Sequence, residues 1–201
     1  MLATWGRTWK LYSDVFATGQ GVTVEAWVYL PNPAPQGQTG NSVVWGIRFT
    51  QDPRPGSDNT YHILHTGLQA DGRCTATIGY NFTQMTSTEV IDPSERGWVY
   101  FQASFNFSLS QTTIRWRINN HDFATKTVSA VPGPGYYDTG GPFYVQLCNN
   151  RTNTASTWPN GVMTSFEGLQ CFAEGLSCPS NYTFTPQAYI DPSVANLIVS
   201  P

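Results

Sequence analysis

The sequence predicts an all-β protein, an antiparallel β-sandwich or jelly roll, and three observations carry that prediction. Apolar residues recur with a period of two along most of the chain. Clusters of Gly, Pro, Asn and Asp interrupt the alternating runs. No window of about 11 residues carries apolar side chains at i, i+3, i+4 and i+7, so at most a helical turn or two is expected. Many short strands separated by turn clusters build a sandwich whose inward faces bury one half of each alternation.

The strands follow in order. In Val22-Thr-Val-Glu-Ala-Trp-Val-Tyr-Leu30, Val22, Val24, Ala26, Val28 and Leu30 share one face, while Thr23, Glu25, Trp27 and Tyr29 share the other. Short strands are expected at 43–49, 61–67 and 73–80. Next, Val99, Phe101, Ala103, Phe105 and Phe107 alternate with Trp98, Tyr100, Gln102, Ser104 and Asn106. Ile114, Trp116 and Ile118 alternate with Thr113, Arg115, Arg117 and Asn119. A strand at 123–128 precedes one in which Phe143, Val145 and Leu147 alternate with Tyr144, Gln146 and Cys148. Strands at 164–173 and 195–199 complete the set. The turn clusters at 31–40, 52–58, Asp71-Gly72 and 131–135 combine Gly, which supplies positive φ, with Pro, which presets turn geometry. The chain shows no internal repeat, charge block or composition break, so a single β-sandwich domain over 1–201 is expected, with 1–20 and 176–201 as extended arms.

Composition narrows the function classes. The 201 residues are 40% hydrophobic and 14% aromatic, enough apolar mass for a sizeable core. Charged residues make up 11%, against roughly 25% in an average soluble domain. That balance is the reverse of a disordered chain's. Net charge is −3 and the lysines are Lys10 and Lys126, so no basic stripe exists to neutralise a phosphate backbone or dock on anionic lipid. No run of about 18 apolar residues occurs, so no membrane-inserted segment is expected. The opening Met1-Leu-Ala-Thr-Trp-Gly-Arg-Thr-Trp-Lys10 has neither a basic nor an apolar signal region, and no secretory signal is expected there.

The cysteines, Cys74, Cys148, Cys171 and Cys178, contain no Cys-x-x-Cys pair and no His at zinc-finger spacing, so no metal site is expected. Disulfides and free thiols fit the spacing equally. The sequons at Asn81, Asn106, Asn150 and Asn181 are short enough to arise by chance in a chain so rich in Asn, Ser and Thr.

Three segments resemble laminin-G-like and pentraxin-like domains, the concanavalin A-like lectin and glucanase jelly-roll group. Val22 to Leu30 looks like that family's early strand, an acidic residue followed by Ala-Trp. Gly97-Trp-Val-Tyr-Phe-Gln-Ala-Ser-Phe105 with Thr113-Ile-Arg-Trp-Arg-Ile-Asn119 looks like its central hairpin. Gly140-Gly-Pro-Phe-Tyr-Val-Gln-Leu147 and Ser165-Phe-Glu-Gly-Leu-Gln-Cys-Phe172 look like its last strands. The match covers about residues 22–175 and departs from the family at Asn119-Asn120-His121, where an Asn-Gly turn is usual. The resemblance implies glycan or protein binding, often through calcium. Asp71, Asp122 and Asp138 are scattered single acids, whereas a hard cation wants several converging oxygens.

Catalytic constellations are weak. Glycan hydrolases need two carboxylates about 5–9 Å apart. Glu89, Asp92 and Glu95 are spaced by threes around Pro93 and read as a loop entering the Trp98 strand. Glu25 shares its face with Thr23, Trp27 and Tyr29, and Glu167 is likewise solitary. His62 and His65 fall on opposite strand faces and His121 sits in a turn. No Gly-x-Ser-x-Gly elbow and no phosphate-binding Lys is present, so neither an enzyme nor a cofactor is expected.

The functional signal is a mixed face formed by Trp98, Tyr100, Gln102, Arg115, Arg117, Tyr144 and Gln146, with Tyr136 and Tyr137 as a second contact patch. Aromatic faces stack on sugar CH surfaces while amides and guanidinium groups fix hydroxyls, and the same residue types dominate protein interfaces. The expected function is a non-catalytic structural or binding protein on a virion exterior, a phage head-decoration, cement or tail-fibre subunit. Its expected partners are other copies of itself, a capsid or tail protein, and host-surface glycans. The alternative is an extracellular or cell-surface glycan-binding adhesion module, with a polysaccharide-cleaving enzyme third.

Overall fold

The computed structural model describes residues 2–4, 21–32, 41–49, 61–78, 83–130, 143–150, 165–172 and 175–177. They form β1 (Leu2–Thr4), β2 (Gly21–Leu30), β3 (Asn41–Phe49), β4 (Tyr61–Gln69), β5 (Arg73–Ile78), β6 (Thr83–Val90), β7 (Gly97–Phe107), β8 (Thr112–Ile118), β9 (His121–Asp122), β10 (Lys126–Val128), β11 (Phe143–Asn150) and β12 (Ser165–Phe172). One 3-10 turn, Pro93–Glu95, is the sole helical element among the described residues. The strand predicted at 195–199 lies outside them.

The strands make two antiparallel sheets, ordered β1-β11-β3-β4-β5-β6 and β10-β8-β7-β2-β12, with β9 pairing β8. The chain passes from the second sheet to the first after β2, returns after β6, and crosses again before β11 and β12. Strands from the two ends of the chain therefore become neighbours, β11 beside β3 and β12 beside β2. This is the antiparallel jelly-roll sandwich that the alternation predicted.

The core is the inward half of each alternation. Val22, Val24, Ala26, Val28 and Leu30 of β2 pack with Val99, Phe101, Ala103, Phe105 and Phe107 of β7, with Ile114, Trp116 and Ile118 of β8, and with Leu64, Leu68, Cys74, Ala76 and Ile78 of the opposite sheet. Each fully buried large aliphatic or aromatic side chain contributes about 1.5–3 kcal/mol. A hydrogen bond ties the sheets through this core: Trp116 Nε1 donates to Thr66 Oγ1 at 3.0 Å, and Thr66 Oγ1 in turn donates to Thr75 O of its own sheet at 2.9 Å. The indole and the hydroxyl are thus satisfied where water is absent.

Three local departures from the expected strands have simple causes. Residues 83–90 form edge strand β6 although only Met85 and Ser87 are buried along it, too little apolar content to register as alternation. Glu89 therefore closes a strand, and the loop predicted around it shrinks to the turn after Val90. The strand predicted at 123–128 shortens to β10, with β9 lying just before it, and Phe123 between them hydrogen-bonds Trp116 O through its backbone N–H. Within the expected N-terminal arm, Leu2–Thr4 pairs with β11 as an edge strand. The Asp71-Gly72 turn forms as expected: Gly72 takes φ 91°, its N–H reaches Gln69 O, and Asp71 Oδ1 accepts from Arg73 N.

Candidate functional site: the outward face of the second sheet

Alternation sends Thr23, Glu25, Trp27 and Tyr29 of β2 to the face opposite the core, and register sets each beside a residue of β7. Glu25 lies opposite Gln102, Trp27 opposite Tyr100, Tyr29 opposite Trp98 and Thr23 opposite Ser104. The next strand sets Arg117 opposite Gln102 and Arg115 opposite Ser104, and β9 sets Asp122 opposite Arg117. Cross-strand neighbours of this kind interact directly.

The aromatic members form two edge-to-face pairs. Trp27 and Tyr100 have ring centroids 5.8 Å apart at 66°, and Tyr29 and Trp98 lie 5.5 Å apart at 79°. Beside them the Glu25 carboxylate accepts from the Tyr100 hydroxyl and, at 3.2 Å, from Gln102 Nε2. Tyr100 is also held by its backbone: Asn119 Oδ1 accepts from Tyr100 N at 3.0 Å, and Asn119 N donates to Tyr100 O at 2.9 Å. Asn119 takes φ 50° to do this, a conformation Asn tolerates better than most residues. That is the structural use of the Asn119-Asn120 turn.

Burial is uneven across the face. Glu25, Tyr100 and Gln102 are 3%, 1% and 1% exposed, unusual for the outward side of a sandwich. Trp98, Tyr29, Arg115 and Arg117 are half-buried and form the accessible margin. Arg117 Nε lies 2.5 Å from Asp122 Oδ1, and its Nη2 donates to Oδ2 at 3.2 Å. That guanidinium holds the Asp122 carboxyl below its ordinary pKa. At the far end of the face the turn at 175–177 crosses β2, β7 and β8. Thr23 Oγ1, which lies 2.9 Å from Ser104 Oγ, donates to Gly175 O at 3.0 Å. Leu176 N donates to Asn106 Oδ1 at 2.9 Å, and Arg115 Nη2 donates to Leu176 O at 2.7 Å.

The residues expected on one mixed face are therefore divided. Trp98, Tyr100, Gln102, Arg115 and Arg117 come together. Tyr144 and Gln146 do not, a correction to the sequence reading: both stand on β11 of the other sheet, opposite Arg48 and Gly46 of β3, because the chain changes sheet between β10 and β11. Tyr136 and Tyr137 lie outside the described residues. Glu25, Trp27, Tyr29 and Asp122 belong to the site and were not expected there. The signal for Glu25, Trp27 and Tyr29 was the second half of the β2 alternation, which only strand register could connect to β7, and Asp122 joins through the pairing of β9 with β8.

The remaining acids have separate partners. Glu89 Oε1 accepts from Ala124 N at 2.8 Å, which, with the Thr88 hydroxyl on Oε2, holds its pKa down. Asp92 caps the turn by accepting from Ser94 N at 2.7 Å and Ser94 Oγ at 2.6 Å, which lowers its pKa likewise. Glu95 lies 3.3 Å from His121 Nε2. Glu167 stands opposite Trp27 on β12, so the acids that read as solitary, Glu25 and Glu167, occupy adjacent strands. Among the described residues no group of three or more His, Cys, Asp or Glu is placed to hold a metal ion.

No protein-family description matches this chain, and no curated protein matches it. Solved structures similar to it include an alginate lyase from Klebsiella pneumoniae, 11% identical with a TM-score of 0.41 over 77% of this chain and 60% of the lyase. Sheep galectin-11, in complex with glycerol, is 13% identical with a TM-score of 0.37 over 86% of this chain and 96% of the galectin. A bifunctional GH43-CE protein of Bacteroides eggerthii is 12% identical with a TM-score of 0.33 over 64% of this chain and 16% of that one. The chain thus spans less than two thirds of the length of the lyase and about a sixth of the GH43-CE protein. The jelly roll implied by the laminin-G-like and pentraxin-like resemblance is present, while no match assigns the chain to that family.

Proposed function

We propose that this protein is a non-catalytic glycan-binding module whose contact surface is the accessible margin of the second sheet's outward face. One observation carries the reading: two aromatic pairs and a buried carboxylate–phenol–amide group share a face that a sandwich ordinarily leaves to solvated polar residues. Tyr29 and Trp98 supply stacking surface, and Arg117 with Asp122 supplies donors and acceptors. Trp98 and Gln102, which lies opposite Arg117, are four residues apart on β7, about 13 Å at the usual strand rise. Such a span suits an oligosaccharide better than a single sugar.

The test is a glycan array followed by calorimetry, comparing the wild type with Trp98→Ala. Loss of about tenfold in affinity, or about 1.4 kcal/mol, with an unchanged melting temperature supports the reading. A melting temperature lowered by many degrees would instead mark Trp98 as core. Reducing-sugar release by the wild type that disappears in Glu25→Gln would overturn the non-catalytic part, given Glu167 on the next strand. A narrower proposal sets this module on a virion exterior; its support is the lysine-poor, charge-poor composition, and mass spectrometry of purified particles tests it.

A further inference from the structure

We infer that the glycan this face accepts is uncharged and that Asp122 keeps it so; the inference rests on the binding-module reading above. The outward cations of β8 are Arg115 and Arg117, and both are engaged. Asp122 closes the Arg117 fork at Nε and Nη2, the two-point geometry with which a guanidinium otherwise grips a ligand carboxylate or sulfate. Arg115 Nη2 is taken by Leu176 O at 2.7 Å.

On the other side of Gln102 stands Glu25, whose hydrogen-bond partners, Tyr100 and Gln102, are both neutral. None of the ion pairs among the described residues includes it. The row across the sheet therefore runs acid, amide, guanidinium, acid: Glu25, Gln102, Arg117, Asp122. An anionic sugar on the accessible margin meets a guanidinium already neutralised by Asp122, with the Glu25 carboxyl group buried in the same row. There it would lose hydration without a net positive charge to offset the loss. A neutral sugar asks only for stacking surface and hydroxyl partners, which Tyr29, Trp98 and the Arg117–Asp122 pair provide.

Calorimetric titration of the whole chain at neutral pH and low salt, with matched hexasaccharides, tests this. The probes are mannohexaose against hexamannuronate and cellohexaose against hexaglucuronate, pairs that differ only by a carboxylate at C6. At least one neutral member is expected to bind about tenfold tighter than its acidic counterpart. Asp122→Asn, which opens the Arg117 fork, should narrow that gap by about tenfold, and the charge-conserving Asp122→Glu should keep it. Acidic members binding the wild type as tightly as neutral ones would overturn the inference while leaving the glycan reading standing. So would an unchanged gap in a folded Asp122→Asn protein. Binding of none of the probes by the wild type would overturn the glycan reading itself.

Discussion

Gly21 and Gly175 meet without room for a side chain on either. A Cβ on Gly21 would collide with Gly175 Cα, and a Cβ on Gly175 would overlap Asn106 Oδ1, the atom that accepts from Leu176 N. Neither glycine takes a positive φ, so the requirement is close approach of two backbones. It fixes where the turn at 175–177 lies across the ends of β2, β7 and β8.

Gly175→Ala should therefore destabilise by about 1–3 kcal/mol, the usual range for overpacking. For a domain of this size each kcal/mol lowers the melting temperature by about 2–4 °C. Gly97→Ala is the comparison: Gly97 has open space around its Cβ position but takes φ 116°, so its cost is conformational. Differential scanning calorimetry reads both. An unperturbed Gly175→Ala protein would mean that the turn does not pack on the sheet as described.

The Glu25–Tyr100 hydrogen bond joins β2 to β7 on a face where both residues are buried. A double-mutant cycle of Glu25→Gln and Tyr100→Phe, read by urea denaturation, should give a coupling energy of about 0.5–3 kcal/mol, the range for residues that share one hydrogen-bond network. Additive effects of the two substitutions would show that the phenol and the carboxyl do not act together.

Acid should destabilise the protein through three carboxylates. Asp122 is held below its ordinary pKa by Arg117, Glu89 by the Ala124 N–H and Asp92 by Ser94. A carboxylate whose folded pKa is depressed adds stability above its unfolded pKa and loses it as pH falls through the folded value. The melting temperature should be flat from neutral pH down to about pH 5 and fall below about pH 4, the ordinary carboxylate range. Asp122→Asn should make that acid limb shallower. Its cost at neutral pH should be small, about 0–1 kcal/mol, because the Arg117–Asp122 pair is partly exposed.

Cys74 is fully buried, and burial first, then the charge of Glu89, pushes its thiol pKa well up. It should resist iodoacetamide in the native protein and react only on unfolding. Peptide mass mapping reads this residue by residue, and rapid native alkylation at Cys74 would contradict its place in the core.

The architecture was legible because its cause is local. Alternation with period two and Gly/Pro punctuation are written into each segment, and burying one side of each strand is the dominant free-energy term. Thus β2, β7 and β8 appear in the sequence nearly to their ends, whereas β6 is missed because it buries little and sits at an edge.

The site was only half legible. Trp98, Tyr100, Gln102, Arg115 and Arg117 announced themselves as polar and aromatic residues on consecutive strands of one hairpin. Their pairing with Glu25, Trp27 and Tyr29 spans about seventy residues of chain, as the Tyr100–Glu25 separation of 75 shows. Alternation assigns a residue to one of two faces but does not say which strand lies beside it, nor which of two sheets receives it. Tyr144 looked like a neighbour of Trp98 for that reason. Sequence alone determined that this chain would stack strands into a sandwich; the crossings between sheets and the register of β2 against β7 decided which side chains meet, because those depend on contacts between distant segments that exist only once the chain has folded.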